Sequence, residues 1–133
     1  MAEITNLKQI LASLKPKLQM GEYAFCVVSE EKFRHMNIKA LCTFKEKEGI
    51  SAILDRPSAD SNGIHYDTAW RMISLTVHSA LEGIGLLAAV SARFAKEGIP
   101  LNVVSAYHHD HLFVPSKFAD RALGILQEMQ EKA

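Results

Sequence analysis

The sequence predicts an α+β fold with antiparallel sheets, built as two tandem units, and three observations carry that prediction. Trp70–Ser79 alternates Ile73, Leu75 and Val77 against Ser74, Thr76 and His78, the period-two pattern of a strand with one buried face. Leu86, Leu87, Val90 and Phe94 then form an apolar helical stripe, which Gly98 and Pro100 stop. Two more strands and a closing helix complete the order βαββα, and a weaker copy of the same order lies upstream.

Taken in order, Ile4, Leu7, Ile10, Leu11 and Leu14 share one helical face, and Pro16 ends that helix. Glu22–Ser29 is rich in aromatic and β-branched residues and reads as a buried strand. Glu30–Lys39 is short and polar, with room for one helical turn at most. Ala40–Lys45 and Ile50–Leu54 are strands with Gly49 at their turn, and a short stretch after Pro57 stops at Asn62-Gly63. Downstream, Leu101–Tyr107 and His111–Pro115 are strands joined by a His-His-Asp turn. A last helix runs from about Lys117, with Ser116 as its N-cap and Phe118, Ala122, Leu126 and Met129 along it. Met20, Met36, Met72 and Met129 are read as core or edge packing. The expected core is Leu75, Val77, Leu86, Val90, Phe94, Val103, Phe113 and Leu126.

The duplication shows in local matches. Thr43-Phe44, Ile53-Leu54 and Ala59-Asp60 follow one another as Ala106-Tyr107, Phe113-Val114 and Ala119-Asp120 do, with an upstream hairpin longer by three residues. The first copy lacks a full crossover helix, and the N-terminal helix is expected to cover the sheet in its place. The units divide as 1–67 and 68–133, two halves sharing a core, since either alone would be marginal at about 65 residues.

Lys plus Arg and Asp plus Glu number 15 each, so the formal net charge is zero. The densest charge run, Lys45-Glu46-Lys47-Glu48, alternates in sign, which disfavours a nucleic-acid partner. Ile84–Ala92 is about half the length of a membrane span, and Met1–Leu14 carries Glu3, Asn6 and Lys8, unlike a signal peptide. Cys26 and Cys42 lie in strand-like runs and are expected to be free thiols in a reducing cytoplasm.

The second half, Trp70–Gln130, resembles the ACT domain on three features. These are the turn Leu81-Glu82-Gly83-Ile84-Gly85, the segment Gly98-Ile99-Pro100-Leu101-Asn102, and the hairpin Ser105–Pro115. With Trp70-Arg71, the Gly85 turn and the sequence Ser105-Ala106-Tyr107-His108-His109-Asp110-His111, the chain is similar to tandem ACT proteins. Those include eukaryotic cytosolic arginine sensors and small bacterial proteins of this length. The resemblance implies a ferredoxin-like sandwich of two βαββαβ-type units and a regulatory role. It further implies a free amino acid, or a similar small molecule, held at an interdomain or homodimer interface.

Carried over residue by residue, the implied site comprises Leu81, Glu82, Gly83, Gly85 and Leu86 before the helix. Asn102, Ala106, Tyr107, His109 and Asp110 complete it from the strand and hairpin. The chemistry is coherent: amides at a helix N-terminus can hold a carboxylate, and Gly83 and Gly85 permit close approach. Glu82 could meet an α-amino group, or could equally complete a capping box with Ser79. Asp110 matches the acidic position that faces a guanidinium in the arginine sensors, but Asp also favours hairpin turns for its own backbone bonds.

Other chemistries find little in the sequence. His108, His109, His111 and Asp110, with His78 nearby, lack the spacings of a zinc site, so no metal is expected. No catalytic motif is present, His109 and Asp110 being the only pair an enzyme could use, and no cofactor is expected. The rival to a sensor is a protein-interaction module without a small-molecule ligand.

Overall fold

A computed structural model describes residues 6–77 and 84–133. The elements in order are helix α1 (Leu7–Ala12), strands β1 (Pro16–Leu18) and β2 (Tyr23–Val28), and helix α2 (Glu30–His35). Strands β3 (Cys42–Glu46) and β4 (Gly49–Asp55), helix α3 (Arg56–Ser61) and strand β5 (Ala69–Leu75) follow. Helix α4 (Leu86–Lys96), strands β6 (Asn102–Ser105) and β7 (Asp110–Pro115) and helix α5 (Ala119–Glu131) complete the chain. The fold is α+β with antiparallel pairing, in two compact units: Gly21–Trp70, and the residues up to Met20 together with Arg71–Ala133.

In the Gly21–Trp70 unit, β4 lies between β2 and β3, with Phe25 opposite Ile53 and Phe44 opposite Ser51. Gly49 makes the β3–β4 hairpin possible: at φ +146° a Cβ there would stand 2.6 Å from the Val28 carbonyl oxygen. Ala24, Cys26, Val28, Ala52 and Leu54 share one sheet face, and Ala59 of α3 and Phe33 of α2 pack on it. Ser29 caps α2 by accepting the Lys32 amide at 3.1 Å, and Asp55 caps α3 through Ser58. With six residues α2 exceeds the single turn expected, because that cap lets Glu30 begin a helix at once.

In the other unit, β5 pairs with β1 (Lys17 opposite Ser74), neighbours β7 on its other side, and β6 lies beyond β7. Ile73, Leu75, Leu112 and Val114 meet Leu86, Val90 and Phe94 of α4 and Ala122, Ile125 and Leu126 of α5 in one core, so both helices cover one sheet face. Ile10 and Leu14 are buried in this same core. The N-terminal helix therefore completes this unit, and does not substitute for a crossover helix in the upstream one. Gly98, at φ +74°, ends α4 in the left-handed conformation the sequence called for.

Several elements depart from expectation for identifiable reasons. Strand β5 is buried on both faces over its second half, Met72, Ile73, Ser74 and Leu75, and the buried Ser74 hydroxyl is satisfied by Gln19 and His111. Ser116 is not the N-cap of the last helix; it begins a 3-10 turn (Ser116–Phe118), and α5 starts at Ala119. Val103 is only partly buried, and Met20, expected to pack, is 91% exposed.

The duplication is visible in burial. Leu54 and Val114 occupy equivalent strand positions and Ala59 and Ala119 equivalent helix positions, all four buried. The upstream match fails one element earlier: Thr43-Phe44 lies within β3, whereas Ala106-Tyr107 lies past the end of β6.

Candidate ligand-binding site

Of the sequence-derived site, the structure gathers the hairpin residues. The turn between β6 and β7 is closed by the Ala106 amide donating to the His109 carbonyl at 3.0 Å. Tyr107 stands 68% exposed, its ring edge-on to His108 at 4.9 Å. Asp110 is not in the turn; it is the first residue of β7, opposite Ser105 and partly buried. Asn102 opens β6 opposite Phe113, with its side chain exposed. His109 reaches the Val77 carbonyl at 3.5 Å, which draws the end of the β5 segment toward the hairpin.

At the other half of the site, Gly85 is the N-cap of α4 at φ +100°, and its carbonyl accepts the Ala89 amide at 2.9 Å. A Cβ there would meet Leu7 Cδ2 at 3.1 Å, so one side of this glycine is closed by α1. Leu86 turns its side chain into the core. Leu81, Glu82 and Gly83 lie outside the described residues, as does His78.

His111 adds a contact that the sequence reading left out of the site. Its Nδ1 is 2.8 Å from Ser74 Oγ, which also accepts from Gln19 Nε2 at 3.1 Å. Burial, then the neighbouring His109, push the His111 pKa below its usual value, while Asp110 pulls it up. Among the described residues no three His, Cys, Asp or Glu side chains converge on a metal position.

Sequence reasoning missed a cleft of about 770 Å³ in the Gly21–Trp70 unit. Phe25, Val27, Cys42, Phe44 and Ile53 line it, with Lys32, His65 and Asp67 among its polar residues. The period-two pattern of β2 hinted at it, since Tyr23, Phe25 and Val27 are as apolar as the buried set between them.

A βαββ-type unit is thus present twice, with the helices of each on one sheet face, and a glycine at positive φ opens the long helix of the second. Profiles of the ACT domain match residues 2–71 and 67–128, and the chain belongs to the ACT-domain family. A crystal structure of a protein of unknown function from Vibrio cholerae, described as a possible transport protein, is similar at 36% identity and TM-score 0.84, over 93% of this chain and 95% of that one. A protein from Agrobacterium tumefaciens shares the fold at 19% identity and TM-score 0.69, over 86% and 87% of the two chains. So does the ligand-free regulatory subunit of aspartate kinase from Thermus thermophilus, at 9% identity and TM-score 0.66 over 88% and 97%. No curated protein matches the sequence. No helix among the described residues is long and apolar enough to cross a membrane.

Proposed function

We propose that the protein is an amino-acid-binding sensor of the ACT type, working without catalysis of its own in the cytoplasm. The observation that carries this reading is the pairing of a left-handed glycine at the start of α4 with an exposed hairpin whose first strand residue is an aspartate. A ligand carboxylate would take the amides at Gly85 and Leu86, and a basic side chain would be met by Asp110. Leu81, Glu82 and Gly83 would close the site from the preceding loop, and Asn102, Ala106, Tyr107 and His109 from the hairpin. The unit boundary at 67/68 is supported by the two family matches, which meet at 67–71.

A homodimer fits the same surfaces. Strand β6 is the last strand beyond β7, and Tyr107 and Ile84 are both strongly exposed near the proposed site. Edges and apolar patches of this kind gain by pairing with a copy. The test is a thermal-shift screen against the twenty amino acids: at 100 times its dissociation constant a ligand stabilises the fold by about 2.7 kcal/mol. Asp110→Ala should remove most of the shift for a basic ligand and little for an apolar one. If no amino acid at millimolar concentration moves the melting temperature, the sensor reading fails and an interaction module takes its place.

A further inference from the structure

Strand β3 is an end strand: among the described residues it pairs with β4 alone, and its other edge is open. The β3–β4 hairpin fixes which backbone groups lie on that edge. Glu46 and Gly49 close a two-residue turn as a hydrogen-bonded pair, so Cys42, Phe44 and Glu46 aim their N–H and C=O groups at β4. Thr43 and Lys45 therefore aim theirs outward, an N–H and a C=O each. On the same strand Phe44 is 71% exposed, and Val27 beyond Ser51 on that sheet face is 58% exposed. An edge lysine ordinarily guards a strand against pairing, but Lys45 is offset by Glu30 at 3.2 Å.

We propose that β3 pairs antiparallel with β3 of a second copy, across a two-fold axis through Phe44. Opposed residues must both present edge groups or both turn them away, so the axis has to pass through a residue. Through Lys45 it would set that lysine against its own symmetry mate, like charge on like. Through Thr43 it would set Lys45 against Leu41, whose amide is already committed to the Ile53 carbonyl at 2.9 Å. Through Phe44 it sets Thr43 against Lys45 of the copy on both sides of the axis. Every outward N–H and C=O of the two residues then finds a partner.

This register also suits the side chains. Phe44 meets Phe44 of the copy at a non-hydrogen-bonded position, where opposed side chains stand closest and an aromatic pair is favourable. Glu46, which accepts the Ser51 hydroxyl, lies opposite Cys42 of the copy, so no like charges are opposed. The edge is thus complementary to itself in backbone, charge and apolar surface, and a second copy is the occupant it fits. A five-residue strand makes a small interface, so the association is weak and concentration-dependent. It lies wholly in the Gly21–Trp70 unit, apart from the β6 edge and the hairpin site.

Light scattering and amide hydrogen exchange on the full-length protein test it. The wild type should gain mass with concentration while the Thr43 and Lys45 amides become slow to exchange. Phe44→Asp and Thr43→Lys, both at exposed positions, should each halve the assembled mass and free those amides. In a Cys42→Ser background, Phe44→Cys should cross-link two copies on mild oxidation, because the opposed Cα atoms lie within disulfide reach. Thr43→Cys or Lys45→Cys alone should not, since each faces the other residue. A wild type that stays monomeric at NMR concentration, or a mass that both charged variants leave unchanged, would overturn the proposal. So would cross-linking of Thr43→Cys or Lys45→Cys as ready as that of Phe44→Cys.

Discussion

The Ser74 hydroxyl sits 2.8 Å from His111 Nδ1 and receives a hydrogen bond from Gln19 Nε2 at 3.1 Å. Ser74 Oγ, with two lone pairs and one proton, can donate to Nδ1 of the Nε2–H tautomer or accept from an Nδ1–H. A protonated His111 would force the Ser74 proton to find another acceptor in a nearly closed environment, Ser74 being 5% exposed.

Stability should therefore depend on pH through His111. Unfolded, it titrates near its ordinary value of about 6.5. Folded, burial and His109 hold it lower. Between the two values the unfolded chain binds more protons, so stability is full above the unfolded value and is lost as pH falls through it. Urea midpoints measured across this window should decline toward acid, and His111→Asn, which keeps an acceptor but does not titrate, should flatten that part of the decline. An unchanged slope in the variant would assign the effect to other histidines.

Core and surface phenylalanines should separate cleanly. Phe94 is fully buried between α4 and the sheet, and Phe94→Ala should cost about 3–5 kcal/mol in urea denaturation. Phe44→Ala, on the exposed cleft face, should stay within about 0.5 kcal/mol.

Gly85 should resist substitution for two reasons that a double mutant can divide. Its φ of +100° strains any side chain, and the added Cβ also meets Leu7 at 3.1 Å. Gly98→Ala, at φ +74° with open space around it, should show the backbone cost alone, about 1–2 kcal/mol. Gly85→Ala should cost more, and combining it with Leu7→Ala should be less than additive. Strict additivity would show that Leu7 simply moves aside.

The ion network joining α4 and α5 should be sensitive to acid and salt. Glu97 accepts from both Arg93 and Arg121 at 3.0 Å, and Arg93 also reaches Glu128 at 3.1 Å. Hydrogen bonds from these arginines, and from Lys132 to Glu128, hold both glutamates below their usual pKa. Their contribution is present above the unfolded carboxylate value and disappears as pH falls through the folded one. Glu97→Gln should reduce the salt dependence of the melting temperature; an unaltered dependence would mean that solvent already screens these pairs.

The second half was legible because its cues are local. The Leu86–Phe94 stripe, the Gly98 stop and the two-strand pattern each require one conformation, and α4, β6 and β7 follow. The upstream half was harder to read: its six-residue helices bury little, and a cap such as Ser29 decides whether they form. The role of α1 could not be read from its own apolar face, since any core would satisfy Ile10 and Leu14. The cleft escaped for a related reason. Alternation in β2 places Phe25 and Val27 together, but only the pairing with β4 and β3 shows that Ile53, Cys42 and Phe44 join them on a face left open.

The Lys15 amide donates to the Gln130 side chain at 2.8 Å, across 115 positions of sequence. The second partner is synthesised 115 residues after the first. Until α5 emerges, Ile10 and Leu14 have no complete core to enter. Closure of so long a loop is slow relative to local contacts. Chains arrested or cleaved before Leu126 would expose the apolar face of α1, the form that chaperones and proteases are built to intercept.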